Sequence, residues 1–145
     1  MSCLFVLDDG RACAPSPWAF DAIIAALAEQ LTQTDEERQL ASWLRDQMVE
    51  TSLVGHRVID LRELTPESRR LFRLAVQRAA AHVGYPCAGD GVAVATPGWI
   101  QRLRRLARMI QSIDRGESPD ALSDVPAPIA PSGLRRGPGW RAAVA

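Results

Sequence analysis

Four stretches of this 145-residue chain repeat apolar residues at the spacing of an amphipathic helix. The first begins after Ser16-Pro17, which places a capping serine before a proline in the first turn, and it runs to about Leu31. The second begins at a capping box formed by Thr34 and Glu37. Its inward-facing stripe consists of Leu40, Trp43, Leu44 and Met48. The short segment between these helices predicts an antiparallel helical pair.

The third and fourth helices both begin at a threonine followed by a proline. Thr65-Pro66 opens the third helix, whose apolar stripe extends to Val83. Its outer face is predicted to carry Arg69, Arg70, Arg73 and Arg78. Thr96-Pro97 opens the fourth helix, and Gly116 ends it. The outward-facing arginines of the fourth helix are Arg102, Arg105 and Arg108.

Short strands complete the predicted fold. Residues 3–14 predict a β-hairpin, because C-L-F-V-L suits a strand and D-D-G-R contains an Asp-Gly turn. If Asp9 and Gly10 are the two turn residues, Val6 lies opposite Cys13. A further short strand is predicted from His56 to Leu61, whose residues alternate loosely. Four helices with a hairpin and one or two further strands predict an α+β fold.

The composition changes near residue 118. Residues 1–117 contain all the helical patterns and predict a single compact domain. Residues 118–145 form a proline-rich extension without an amphipathic period. Because this extension keeps apolar residues such as Leu122 and Trp140, we expect it to dock on the domain. No apolar run approaches the roughly 20 residues that a membrane span requires.

The net charge of zero is the sum of an acidic N-terminal part and a basic C-terminal part of the chain. Residues 1–50 carry nine acidic residues and three arginines, and residues 51–145 carry fourteen arginines and eight acidic residues. In one interpretation, acidic and basic helices pack side by side and neutralise each other. In the other interpretation, either the acidic or the basic part of the chain faces a charged partner.

The cysteines and histidines form no recognised site. Cys3, Cys13 and Cys87 lack C-x-x-C spacing, and the hairpin register separates Cys3 from Cys13, so we expect the reduced thiols of a cytoplasmic protein. His56 and His82 belong to no metal-ligand pattern. We therefore predict no metal, no cofactor and no catalytic residue. A small enzyme that pairs Cys13 with one of the histidines is the last-ranked hypothesis.

The sequence R-L-R-R-L-A-R at 102–108 supports the alternative function, a nucleic-acid-associated or regulatory protein. Its arginines lie on the outer face of a helix, as phosphate contacts require. However, no aromatic residue for base stacking lies between them, and the isoelectric point of the chain is about 6.7. An arginine-covered solvated face, partly paired with the acidic helix, is the preferred interpretation.

Six motifs, taken together, resemble those of a known group of proteins. They are F-V-L-D-D-G-R, S-P-W followed by Asp21, L-A-S-W-L-R-D-Q, D-L-R-E-L-T-P-E-S, R-G-E-S-P-D-A-L-S-D and P-S-G-L-R-R-G-P-G-W. The group consists of small proteobacterial cytoplasmic proteins that are encoded beside secreted antibacterial toxins. Many of these small proteins act as immunity proteins. The resemblance spans nearly the whole chain and implies a non-enzymatic protein that neutralises a cognate toxin by direct binding. The shared motifs are turns, helix caps and helix faces, so the resemblance assigns no functional role to any individual residue.

The acidic first third of the chain is the predicted partner-binding surface. Asp8 and Asp9 are expected at the exposed hairpin tip, and Glu37, Asp46 and Glu50 on the solvent side of the second helix. Such a surface accelerates association with a basic partner, so we expect the cognate toxin domain to be basic where it makes contact. Neither a membrane nor a nucleic acid is an expected partner.

Overall fold

Four helices and a three-stranded sheet make up the fold in the computed structural model, which describes residues 2–50, 56–83, 97–118, 122–125 and 127–130. In chain order the elements are β1 (Ser2–Val6), β2 (Ala12–Cys13), α1 (Pro17–Glu29), α2 (Asp35–Glu50), β3 (His56–Asp60), a 3-10 helix (Leu61–Glu63), α3 (Pro66–Val83) and α4 (Gly98–Asp114). The prediction of an α+β fold is therefore confirmed.

β1 is the central strand of the sheet, whose order is β2-β1-β3. It pairs antiparallel with β2, where Val6 lies opposite Ala12, and parallel with β3, where Leu4 lies opposite Val58. Parallel neighbours require a crossover connection, because the chain must return to the end at which the first strand began. The α1–α2 pair provides that crossover.

The hairpin register predicted from the sequence is wrong by one residue. Phe5, and not Val6, lies opposite Cys13. The loop contains three residues, Asp8 to Gly10, because the Leu7 amide bonds to the Arg11 carbonyl at 2.8 Å and the Gly10 amide bonds to the Leu7 carbonyl at 3.0 Å. Gly10 adopts a φ of 89°, the left-handed conformation that follows the tight turn in three-residue hairpin loops.

The core lies between β1 and the helices, with α1 in contact with α2, α3, α4 and β1. Phe5 of the central strand stacks on Phe20 of α1, with ring centroids 4.8 Å apart, and its ring lies 6.2 Å from that of Phe72 in α3. All three rings are fully buried. The apolar stripe of α1 predicted from the sequence thus faces the centre of the core.

Side-chain caps define the starts of the first three helices. The Ser16 hydroxyl accepts a hydrogen bond from the Ala19 amide at 3.2 Å. The Thr65 hydroxyl accepts one from the Ser68 amide at 3.1 Å. The capping box of α2 is complete, because the Thr34 amide donates to the Glu37 carboxylate and the Glu37 amide donates to the Thr34 hydroxyl, each at 3.1 Å.

α4 begins and ends differently from the first three helices. Pro97 occupies the cap position without a side-chain hydrogen bond, and the predicted capping Thr96 lies outside the described residues. At the other end Gly116 adopts a φ of 74°, and the Glu117 amide bonds back to the Ser112 carbonyl at 3.0 Å. This arrangement is a Schellman cap, which confirms Gly116 as the terminator.

The described residues that follow α4 contact the edge of the sheet. We call residues 122–125 and 127–130 the strap. The Asp124 amide bonds to the Ala12 carbonyl at 2.8 Å, and the Ile129 amide bonds to the Gly10 carbonyl at 2.9 Å. The strap thereby satisfies backbone groups that the short edge strand β2 would otherwise leave open. Residues 131–145 of the predicted extension, including Trp140, lie outside the described part of the chain.

Arg11 joins the hairpin loop to the end of α4. Its side chain is completely buried. Its Nε donates to Asp9 Oδ2 at 2.8 Å, its Nη1 to Ser112 Oγ at 2.8 Å, and its Nη2 to the Glu117 carbonyl at 3.0 Å. Ser112 Oγ in turn donates to the Glu117 carboxylate at 2.6 Å. A cation is also favourable at this place, because the carbonyl end of a helix dipole is negative.

Substitution of Gly10 by alanine should release the strap. A Cβ at this position would lie 2.9 Å from the Ile129 carbonyl oxygen and 3.0 Å from Pro128 Cβ. The left-handed conformation alone costs a non-glycine residue about 1–2 kcal/mol. Gly116→Ala is the matched control, because its φ is also positive but no atom lies within 4 Å of the added Cβ. Thermal unfolding should show a larger loss for Gly10→Ala, and equal losses would contradict contact with the strap.

The Arg11→Met variant should be strongly destabilised. Methionine fills part of the same space but leaves Asp9, Ser112 and the Glu117 carbonyl without their donor, so we expect a loss of about 2–4 kcal/mol in the free energy of unfolding. Arg38→Met is the control, because Arg38 and its partner Asp35 are both exposed, and such pairs contribute about 1 kcal/mol or less. Urea unfolding monitored by circular dichroism compares the two, and a similar effect for both would refute the role of Arg11.

Candidate partner-binding surfaces

The acidic residues of the hairpin loop are paired within the molecule. Asp8 forms an ion pair with Arg73 of α3, and Asp9 forms one with Arg11 at 2.8 Å. Their side chains are 21% and 26% exposed, so each retains only part of the solvent contact expected at a hairpin tip. The loop folds down onto the first half of α3 and the end of α4, and its carboxylates are already occupied.

The prediction that Glu37 points towards solvent is wrong. Its side chain is buried, and Oε1 accepts a hydrogen bond from Arg78 Nη1 of α3 at 2.9 Å. Two features explain the burial. The capping box turns the carboxylate back towards the Thr34 amide, and the guanidinium of Arg78 neutralises the charge there. Glu37 therefore joins α2 to α3 and does not contact a partner.

The five predicted site residues do not form one surface. Asp46 is exposed near the end of α2, at the opposite end of the helix from Glu37. The side chain of Glu50, the last residue of α2, is not among those described. The remaining two, Asp8 and Asp9, belong to the hairpin loop. Among the predicted site residues whose side chains are described, Asp46 is thus the one whose carboxylate faces solvent.

Long-range ion pairs connect the acidic and basic parts of the chain. Asp8 pairs with Arg73, Asp21 with Arg57, and Glu37 with Arg78. Each pair joins a residue of the acidic first third to an arginine beyond residue 50. The structure therefore supports the interpretation in which the two halves of the chain neutralise each other by packing together.

Trp18, in the first turn of α1, is exposed in the structure, and the sequence reasoning did not select it. Its side chain is 66% exposed, more than any other large apolar side chain among the described residues. The sequence did contain a signal for this. At about 100° per residue, Trp18 lies about 160° around the helix from the centre of the stripe that contains Phe20 and Ile23. A tryptophan opposite the buried stripe must point outward.

Acidic side chains accompany Trp18 at its end of the molecule. Asp21 follows it one turn later on α1, is about one-third exposed, and pairs with the buried Arg57. α1 and α2 are in contact and are joined by residues 30–34, so they form an antiparallel pair. The last turns of α2, with the exposed Arg45 and Asp46, therefore lie at the same end as Trp18. We call this end of the helical pair, with Trp18, Asp21 and Asp46, the Trp18 surface.

The arginine-rich face of α4 is partly neutralised by the strap. Arg105 Nε donates to Asp124 Oδ1 at 2.7 Å, and Arg102 lies 3.6 Å from the other oxygen of the same carboxylate. Asp124 therefore occupies the position that a phosphate would take between these two arginines. The face is therefore partly paired, as expected, but its acidic partner belongs to the strap and not to the acidic helix.

The two described cysteines are poor candidates for nucleophiles. Cys3 and Cys13 are both buried and both free thiols. Burial, together with the nearby Asp124 carboxylate, raises the pKa of Cys13 from 9.0 to about 12. Burial also raises the pKa of Cys3. His82 is exposed at the end of α3, and the side chain of His56 lies outside the described residues.

Within the described ranges, no cluster of three or more His, Cys, Asp and Glu side chains suited to a metal ion is present. No helix in those ranges combines the length and the apolar character that crossing a membrane requires.

Comparisons with models of protein families, with curated proteins and with solved structures find no match to this chain. The resemblance to immunity proteins therefore stays a prediction, and the surfaces of the structure carry the functional argument.

The raised pKa of Cys13 predicts a loss of stability in alkaline solution. The folded thiol stays protonated while the unfolded thiol ionises, so the contribution of this group is complete below about pH 9 and falls as the pH rises towards about 12. The expected slope within this window is about 1.4 kcal/mol for each pH unit. Urea unfolding at several pH values should show a steeper loss of stability in the native chain than in Cys13→Ala, where the raised pKa of Cys3 still contributes. Parallel curves for the two chains would contradict it.

Proposed function

We propose that this chain is a non-enzymatic cytoplasmic protein that neutralises a cognate antibacterial toxin by binding it directly, and that the Trp18 surface is its contact area. The observation that carries this proposal is the 66% exposure of the Trp18 side chain. A tryptophan left in water forgoes the burial of a large apolar area, about 150–250 Å² for an aromatic side chain. A protein partner recovers this area when it covers the ring.

Tryptophan is among the residues that most often dominate the binding energy of protein interfaces. An interface anchor of this kind sits at the centre of the contact, with polar residues around it. The half-buried Asp21 lies one turn from Trp18 on α1, and the exposed Asp46 lies at the same end of the helical pair on α2. This combination fits a partner with an apolar pocket and a basic rim, which agrees with the basic toxin surface expected from the sequence.

A rigid support for the anchor strengthens the proposal. Trp18 is the second residue after the Ser16 cap, and the neighbouring Ala19 and Phe20 are buried, so the first turn of α1 is held in place by the core. A preorganised side chain loses little conformational freedom on binding. The motif S-P-W, which belongs to the resemblance to immunity proteins, contains this tryptophan. A toxin bound there would be neutralised by steric coverage of its active site or cofactor cleft.

The proposal predicts that a toxin domain is encoded next to this chain, and that domain is the partner to use in the test; a neighbourhood without one would count against the proposal. The two proteins should form a complex in solution, and coexpression should rescue growth of cells that produce the toxin. Trp18→Ala should weaken the complex by about 2 kcal/mol or more, about thirtyfold in Kd, with little change in melting temperature because the side chain is exposed. Asp46→Arg should slow association severalfold, and added salt should reduce the difference.

The matched control is Glu29→Arg, an equal change of charge at the far end of the same helical pair, where Glu29 is also exposed. Its association rate should stay close to that of the unsubstituted chain. If Trp18→Ala binds as tightly as the unsubstituted chain, or if Glu29→Arg and Asp46→Arg slow association equally, the Trp18 surface is not the contact area. A toxin that forms no complex with the unsubstituted chain would refute the function itself.

A further inference from the structure

The outer edge of β2 is the place where a further strand could join the sheet, and the strap occupies it. β2 is an edge strand, since the order of the sheet is β2-β1-β3. The main-chain groups directed away from β1 are the carbonyls of Gly10 and Ala12 and the amides of Ala12 and Ala14. The two carbonyls accept hydrogen bonds from the strap amides of Ile129 and Asp124. The two amides donate to side chains of the strap.

Side-chain oxygens of the strap take the places of the carbonyls of a neighbouring strand. The Ala12 amide donates to Ser123 Oγ at 3.2 Å, and the Ala14 amide donates to Asp124 Oδ2 at 2.9 Å. A strand in a sheet would accept both bonds with its main chain. Pro128 has no amide proton, so the strap cannot continue a regular ladder. The edge of β2 is therefore covered, but its capacity for regular strand pairing is unused.

The strap covers buried residues while burying little of itself. None of its described residues is buried, Leu122 is partly buried against the core, and Ala127, Pro128 and Ala130 are exposed. Residues 10–13 beneath the strap are all buried. A segment with few buried apolar contacts opens at a lower free-energy cost than the core does. The strap is therefore the part of this edge that a competitor could displace while the helices and the sheet stay folded.

Asp124 of the strap occupies a carboxylate site that α4 and the end of β2 build together. Its Oδ1 accepts a hydrogen bond from Arg105 Nε at 2.7 Å. Its Oδ2 accepts one from the Ala14 amide at 2.9 Å and lies 3.6 Å from Arg102 Nη1. Bonds to charged groups of this kind are stronger than bonds between neutral groups. All three groups are engaged by Asp124, so a ligand reaches them only by replacing that carboxylate.

We propose that the β2 edge and the Arg102–Arg105 pair bind an extended acidic segment of a partner protein, and that the strap is the internal competitor which this segment displaces. The segment adds a strand to the sheet by pairing its main chain with the outward groups of β2. One of its carboxylates takes the place of Asp124. The exchange keeps the ion pairs with the two arginines and replaces the side-chain bonds to the Ala12 and Ala14 amides with main-chain bonds.

The combination of contacts selects a polypeptide as the ligand. A nucleic acid could place a phosphate between Arg102 and Arg105, but it has no alternating amides and carbonyls to pair with Ala12. The strap of a second copy would make only the contacts that the internal strap already makes. The inference does not rest on the proposed toxin contact, because the Trp18 surface lies on α1 and the end of α2.

The test uses the full chain with Ser123→Ala/Asp124→Ala, which we call the open-strap variant, and a fluorescein-labelled peptide with the sequence of residues 119–131. The variant removes side-chain contacts of the strap and leaves β2, Arg102 and Arg105 unchanged. Fluorescence anisotropy should show that it binds the peptide about tenfold or more tightly than the unsubstituted chain, whose attached strap competes at a high effective concentration.

Two modified peptides test the two kinds of contact separately. A peptide carrying Asp124→Asn lacks the charge that pairs with the arginines. A peptide N-methylated at the Asp124 amide cannot donate to the Ala12 carbonyl and so cannot pair as a strand. Each should bind the open-strap variant about tenfold more weakly than the unmodified peptide.

The control variants use the full chain as well. Glu36→Ala/Ser42→Ala removes one carboxylate and one hydroxyl from the exposed side of α2 and should bind the peptide as weakly as the unsubstituted chain does. Addition of Arg102→Gln/Arg105→Gln to the open-strap variant should weaken its binding about tenfold. Cys13 lies against Asp124 and reports opening, because its reaction with a thiol reagent should be faster in the open-strap variant than in the α2 control.

Several results would overturn the proposal. They are no peptide binding by a folded open-strap variant, and equal binding of the unmodified and the modified peptides. Tighter binding of DNA than of the peptide would assign the arginines to nucleic acid, and a dimer of the unsubstituted chain with exchanged straps would assign the edge to a second copy. Melting temperatures check folding. If the double variant is unfolded, Asp124→Asn takes its place, since it keeps the shape of the side chain.

Discussion

The buried guanidinium of Arg11 connects parts of the chain that no apolar contact could hold in the same register. It binds the Asp9 carboxylate of its own loop, and it binds Ser112 and the Glu117 carbonyl at the capped end of α4. A buried charge is costly unless each of its donors finds an acceptor, so the loop and the helix end must keep one arrangement. The neighbouring strap depends on that arrangement, because Ile129 bonds to the Gly10 carbonyl within the same loop.

The charges of this protein are used mainly to join its helices and strands. Glu37 and Arg78 join α2 to α3, and Asp21 and Arg57 join α1 to β3. Partly buried ion pairs of this kind specify how elements fit together more than they add to stability. Asp46 of α2 is among the carboxylates that stay exposed after these pairs are made.

Binding surfaces of this design need rigid support and little movement. The first turn of α1 is fixed by its serine cap and by the stacking of Phe20 on Phe5. The α3–α4 pair is held together by the Gln77–Gln111 and Arg73–Asp114 contacts. In the first turn of α1 the core holds the backbone, and the Trp18 side chain projects from it into solvent. The proposed function follows from this exposed side chain and from the resemblance in sequence.

Local sequence alone determined the helices, their caps and the α+β class. A serine before proline, a Thr-x-x-Glu box or a glycine after the last apolar residue acts within one turn, so Ser16, Thr34 and Gly116 could be assigned without knowledge of the fold. The hairpin register could not, because Gly10 makes a three-residue loop that only its contacts with the strap and Arg11 distinguish from a two-residue turn. Tertiary structure also determined which charged side chains pair within the molecule and which reach solvent. Periodicity shows which side of α2 is polar, but whether Glu37 meets water or Arg78 depends on where α3 packs. Trp18 is the intermediate case, since its angle to the buried stripe was readable from the sequence, while its acidic neighbours required the pairing of α1 with α2.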